Sequence, residues 1–269
     1  MQRLALPSGA NLTPDDCYAI DVVPQLCGEG GILFGGWAMA VMVEVAQARS
    51  GRRLRSLATS FVAPVRVGEE LRITVTPLRS GRQLAHCRID GQVGGIPVLS
   101  GTAVVGPPAA AVAGALGTAQ PRGWAGAPDA PPPELCPERT YRSRTPDSAA
   151  GLLDVRLAAP EPRPDAGGRA LLWARLLAPV SPEASLALLS DHVPYLVVRS
   201  VPDVKHATSV SASVRITGAA STPWTLLDVE LASADGTFCV GVVRQWSQDG
   251  ALVATGDQTV RTALAATAL

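Results

Sequence analysis

Long stretches that are apolar on every side alternate along this chain with shorter ones in which apolar and polar residues take turns. From Phe34 to Ala48 there is no proline, apolar side chains occur all around, and the pair Gly35-Gly36 stands at the start. Such a stretch predicts a buried helix rather than an amphipathic surface one. Four segments after it predict strands: Ser56 to Val62, Leu71 to Leu78, Arg82 to Ile89 and Pro97 to Val105. In the second, Leu71, Ile73 and Val75 alternate with Arg72, Thr74 and Thr76, the period of a half-buried strand. The later half repeats this order. A helix is predicted from Pro182 to Tyr195, with Pro182 after Ser181 as a first-turn proline. Strands are predicted near Ala207 to Ile216, Trp224 to Ala232, Thr237 to Trp246 and Leu252 to Arg261, and one before each helix at Tyr18 to Val23 and Arg169 to Leu177.

The repetition extends to the residues themselves. Ala58-Thr-Ser-Phe-Val-Ala-Pro-Val-Arg66 is echoed by Ala207-Thr-Ser-Val-Ser-Ala-Ser-Val-Arg215, with six of nine positions identical. Gly95 to Val105 is echoed by Gly250 to Val260, so the offset drifts from 149 to 155 residues, which predicts a short insertion between the matched segments of the second copy. Between the copies lies a stretch rich in Pro, Ala and Gly with Pro131-Pro-Pro133 near its end, the composition of a linker. The chain therefore reads as an N-terminal unit at 1–106, a linker at 107–139 and a C-terminal unit at 140–269. Each is an α+β unit in which a buried helix is wrapped by an antiparallel sheet.

Composition narrows the function classes. Hydrophobic residues make up 47% and charged residues 17%, enough to bury a core. Lys plus Arg equals Asp plus Glu at 23 each, and no run of like charges occurs, so neither nucleic acid nor an acidic membrane surface is expected as partner. The most apolar segment, Ile32 to Val43, is too short for a membrane span, and no secretory signal is read at the start. Five scattered cysteines without CxxC spacing predict reduced thiols and a cytoplasmic protein with no structural zinc. His86, His192 and His206 are not grouped as metal ligands, so no metal or other cofactor is expected.

In order along nearly the whole chain come Leu33-Phe-Gly-Gly36, Thr59-Ser-Phe-Val-Ala-Pro64, Gly81-Arg82, Pro132-Pro-Glu-Leu-Cys-Pro137, Leu186-Ala-Leu-Leu-Ser-Asp191 and Asp249-Gly-Ala-Leu-Val-Ala-Thr-Gly-Asp-Gln258. Taken together these resemble the double hot-dog acyl-CoA thioesterases of the thioesterase II-like family. The resemblance implies a tandem double hot-dog fold and hydrolysis of an acyl-CoA or acyl-carrier thioester. It also implies a water held by Asp191, Thr208 and Gln258, and a homo-oligomer. The chemistry suits those residue types. Thioester hydrolysis needs a base for the attacking water and donors for the developing oxyanion. A carboxylate on an apolar helix serves the first need, and the backbone N–H groups of Gly35 and Gly36, free at a helix start, serve the second as substrate-binding groups.

Each residue also has a plainer reading. Asp191 could cap or flank a helix ending near Pro194, Gln258 could face solvent, and Thr208 could be a structural strand residue, since Thr59 takes the same place in the first copy. Gly35 and Gly36 could serve close packing alone. Glu44 is a rival acid, because other hot-dog thioesterases place one partway along the first helix. A cyclase or dehydratase acting on a polyketide-like thioester is the alternative activity. The strand after Thr208 departs from the family's bulkier pattern, reading Ser209-Val-Ser-Ala-Ser-Val-Arg215.

Overall fold

A computed structural model of the chain describes residues 11–13, 17–107, 126–140, 147–164, 167–218 and 222–264. Its strands, all antiparallel, form a single twelve-stranded sheet. In the first unit these are β1 (Asn11–Leu12), β2 (Tyr18–Asp21), β3 (Arg53–Phe61), β4 (Glu70–Ser80), β5 (Ala85–Val93) and β6 (Ile96–Gly106). In the second they are β7 (Leu153–Leu157), β8 (Arg169–Leu176), β9 (Val204–Ile216), β10 (Thr225–Ala234), β11 (Phe238–Ser247) and β12 (Leu252–Leu264). The spatial order β1-β2-β4-β5-β6-β3-β9-β12-β11-β10-β8-β7 reads the same from either end once equivalent strands are matched. The fold is a tandem double hot-dog, with the two half-sheets joined through β3 and β9.

The seam fixes how the copies correspond. Ser56 pairs with Arg215, Ala58 with Ser213 and Ser60 with Ser211, so a pseudo-twofold axis passes between Ala58 and Ser213 and relates Ser56 to Ser211. The same offset of 155 residues relates Gly101 to Gly256: a Cβ at either would stand 2.5 Å from the carbonyl oxygen of Ala58 or Ser213, respectively. It even relates two bulges, since Leu54 pairs with Val105 and Ser56 with Val104, as Ser209 pairs with Val260 and Ser211 with Thr259. The offset does not drift between these strands, and the expected insertion there is absent. The match of Ala58–Arg66 to Ala207–Arg215 is not a structural equivalence. Thr and Val are common in strands and Ala and Ser are small enough to fit most strand positions, so short identities recur out of register.

Helix α1 (Gly35–Ser50) is buried on all sides from Gly36 to Gln47, as its unbroken apolar composition requires, and it ends at Gly51, a left-handed C-cap at φ 65° whose N–H donates to Gln47 O at 2.8 Å. The second unit was expected to hold one helix from Pro182 to Tyr195. Instead α2 (Pro182–Leu189) and α3 (Val193–Ser200) are separated by Ser190, Asp191 and His192. Pro194 explains the break: it has no N–H for Ser190 O, and its ring would crowd that carbonyl in a continuous helix. The helices pack against one another and against the inner face of the sheet in one core.

On the outer face of the second half-sheet lies a separate cluster of Trp173, Trp224, Trp246, Leu226, Ala158 and Cys136. The proline run expected as linker packs onto it, with Pro131 O accepting from Trp173 Nε1 at 2.7 Å. Most of the expected 107–139 linker lies outside the described residues.

Candidate active site

The break between α2 and α3 faces the first turn of α1. Asp191 Oδ2 accepts a hydrogen bond from Gly36 N at 2.6 Å. Glycine is needed on both sides of this contact: a Cβ at Gly35 would stand 2.6 Å from Asp191 Oδ2, and one at Gly36 would stand 2.6 Å from Leu188 O. The other carboxylate oxygen, Oδ1, accepts from Ser209 Oγ at 3.1 Å and from Gln258 Nε2, which also donates to Ser209 Oγ at 2.7 Å. Asp191 is 4% exposed and Gln258 1%. Among the described residues Gln258 Oε1 is buried without a hydrogen-bond partner.

Two opposed effects act on Asp191. Burial pushes its carboxyl above the ordinary value of 3.8, and the hydrogen bonds from Gln258, Gly36 and Ser209 pull it back. Burial is the larger, so the pKa is raised. A carboxylate stabilised by three donors yet biased toward taking a proton is suited to general-base work. The start of α1 contributes as well, because its terminal N–H groups favour negative charge.

Asp191, Gln258, Gly35 and Gly36 thus come together, but Thr208 does not. Thr208 is exposed and pairs with Arg261, an exposed residue on the outer face, while Ser209 supplies the hydroxyl that meets Asp191. The cause is the bulge at Val210. Counting back in twos from the buried Ala212 reaches Thr208, but the extra residue moves the inward position to Ser209, opposite the buried Val260. Nothing in the local sequence marks that bulge. Only the correct repeat register shows it, because β3 carries the same one at Arg55.

Gly36 N–H, expected to be free, is taken by Asp191. The Gly35 N–H has no acceptor among the described residues. His192 is also buried, with Nδ1 3.0 Å from Leu189 O. Burial, chiefly, and the nearby Arg139 lower its pKa to about 3, so it is neutral, and among the described residues it makes no hydrogen bond to Asp191 or to the donors around it.

The remaining expected acid, Glu44, lies elsewhere. Its Oε1 accepts from Ser181 N at 2.6 Å at the start of α2, beside Gln47, whose Nε2 donates to Ser181 Oγ at 2.8 Å. No helix among the described residues is long and apolar enough to cross a membrane.

Comparison with known proteins agrees with this architecture. Residues 23–122 match the model of the acyl-CoA thioesterase N-terminal domain and residues 117–262 that of the C-terminal domain. Among solved structures, a candidate thioesterase from Novosphingobium aromaticivorans is 35% identical at a TM-score of 0.82, covering 96% of this chain and 99% of that one. A protein with a hot-dog fold from Alicyclobacillus acidocaldarius (23% identity, TM-score 0.80, 96% and 97% covered) and an acyl-CoA thioesterase II from Mycobacterium marinum (18%, 0.71, 97% and 96%) share the fold. No curated protein matches the chain in sequence. Two domain models in tandem, on a chain whose half-sheets join at a pseudo-twofold seam, make it a member of the double hot-dog acyl-CoA thioesterase II-like family.

Proposed function

We propose that the chain hydrolyses an acyl-CoA or acyl-carrier thioester to a carboxylic acid and a free thiol, using one site per chain at Asp191. The observation that carries this reading is the buried Asp191 carboxylate, held by Ser209 and Gln258 at the start of α1. Gln258 Oε1, buried and unpartnered among the described residues, is the acceptor that orients one water proton, and Asp191 takes the other. The water oxygen bonds to the thioester carbon as the carbonyl electron pair moves onto oxygen. The Gly35 N–H, at the positive end of α1, receives that oxyanion. Collapse re-forms the carbonyl and breaks the C–S bond, and the thiolate leaves with the proton Asp191 had taken. Asp191 is then ionised again.

Ser209 takes the role the family resemblance implied for Thr208. All five cysteines are free and buried, in keeping with a reducing, cytoplasmic setting. Association of fused units into a homo-oligomer through their sheets belongs to the same reading.

The test is thiol release from short, medium, long and aromatic acyl-CoAs by wild type, Asp191→Asn and Glu44→Gln. Turnover lost only in Asp191→Asn is the expected result. Loss only in Glu44→Gln would move the chemistry to the first helix, and no release from any substrate would remove the hydrolase reading.

A further inference from the structure

Beneath the Asp191 site lies a second buried glutamine. Gln245 on β11 is wholly buried, and its Nε2 donates to Leu186 O at 2.8 Å and to Ser190 Oγ at 2.7 Å. Ser190 Oγ in turn donates to Leu186 O at 3.0 Å. These bonds fasten the last turn of α2, immediately before Asp191, to the sheet. Gly256 on the neighbouring strand makes the room: a Cβ there would be 3.5 Å from Ser190 Oγ and 2.5 Å from Ser213 O.

Folding alone gives little reason for this glutamine. Its Oε1 is buried without a partner among the described residues, which is unfavourable in an apolar core. The first unit does without it. Gln245 pairs with Ala254 as Gly91 pairs with Leu99, so its counterpart is Gly91, packed closely by Leu99 and Leu71. The buried polar residue occurs only in the unit that holds Asp191, Ser209 and Gln258.

We propose that Gln245 is a positioning residue for the reaction: by holding Leu186 O and Ser190 it fixes the last turn of α2, just before the break that Pro194 imposes, against the sheet and thereby aims the Asp191 carboxylate at Gly36 N, Ser209 and Gln258. The inference rests on the hydrolase reading for its catalytic consequence, but not for its structural one. Without the clamp, the donors that stabilise the Asp191 carboxylate fit less well, so its pKa rises further.

The experiment compares wild type, Gln245→Met, Ser190→Ala and Asp191→Asn. Gln245→Met keeps the volume and removes the donors; Ser190→Ala removes one shared bond with a smaller change, should the first variant fold poorly. The readouts are acyl-CoA turnover, thermal midpoint and the Asp191 carboxyl titration followed by carbon NMR. The expected result for Gln245→Met is a kcat lowered about tenfold with KM within twofold, an Asp191 titration moved to higher pH, and a thermal midpoint at or above wild type. Ser190→Ala moves the first two in the same direction by less. An unmoved Asp191 titration in both variants overturns the proposal, whatever the midpoint does. Asp191→Asn separates the two readings: if it keeps full turnover the hydrolase assignment fails, while the NMR titration still decides whether Gln245 positions the carboxylate.

Discussion

Counted from the first residue of each unit's helix, Gly35 and Pro182, Glu44 and Asp191 both stand tenth. Both carboxylates are buried, and both accept from a backbone N–H at the start of the opposite unit's helix. What surrounds them differs. The residues equivalent to Ser209 and Gln258 in the first unit are Leu54 and Ala103, both apolar and buried. Glu44 does have an amide and a hydroxyl beside it, those of Gln47 and Ser181, but they are bonded to each other and to Leu54 N and Ala184 N rather than to the carboxylate. It keeps the helix-capping half of the arrangement, a carboxylate on free N–H groups. The cap and the proposed chemistry are separable: a carboxylate docks two helices in both units, and only in the second do a serine and a glutamine side chain donate to it among the described residues.

The largest expected effect on this contrast comes from Asp191→Asn, which removes the base and should lower kcat for thiol release by about 10²–10⁴-fold. Gln258→Ala, leaving Ser209 in place, should cost about 10²-fold in kcat with a smaller change in KM. The pH dependence follows from the raised Asp191 pKa. If its ionised form is the base, as proposed, activity should climb as pH rises through a value above 3.8, and His192, neutral down to about 3, should not contribute that limb.

Stability has the opposite sign. A carboxyl with a higher pKa folded than unfolded binds more protons when folded, so stability falls as pH climbs from the unfolded to the folded value. Asp191→Asn should lack that fall when unfolding is followed across the same range. In the first unit, Glu44→Gln should leave kcat within twofold and lower stability by about 1 kcal/mol in chemical denaturation, through the weaker bond to Ser181 N. Smallest of all, Thr208→Ala should leave turnover unchanged and shift stability by less than about 0.5 kcal/mol, since Thr208 is exposed on the outer face.

Much of this architecture was legible in the chain. The apolar stretch after Gly35-Gly36 and the alternation at Leu71–Thr76 produced α1 and β4 because burial on all sides and on one side leave different periods. Asp191 and Gln258 were reached through resemblance, and the structure brings them into contact. The residues that escaped did so for geometric reasons. Ser209 is hidden by a bulge that reverses alternation, and the helix break by a proline that marks a helix end as readily as a hinge between two turns. β7 was not foreseen, and neither was the tryptophan cluster, because Trp173, Leu226 and Trp246 lie far apart in sequence and meet only through strand pairing. The repeat register had the widest effect, since the sequence match makes Thr208 the equivalent of Thr59, whereas the seam makes Ser209 the equivalent of Leu54.

The seam between β3 and β9 has a consequence for counting. Two identical units paired in this way would carry two equal reaction centres, and any residue lost from one would be lost from both. Covalent fusion removes that constraint, letting Leu54 and Ala103 stand where Ser209 and Gln258 stand in the other half. On the proposed reading two units share one reaction centre: a tight reversible inhibitor of that site should titrate at one equivalent per chain, with no cooperativity arising within a single chain.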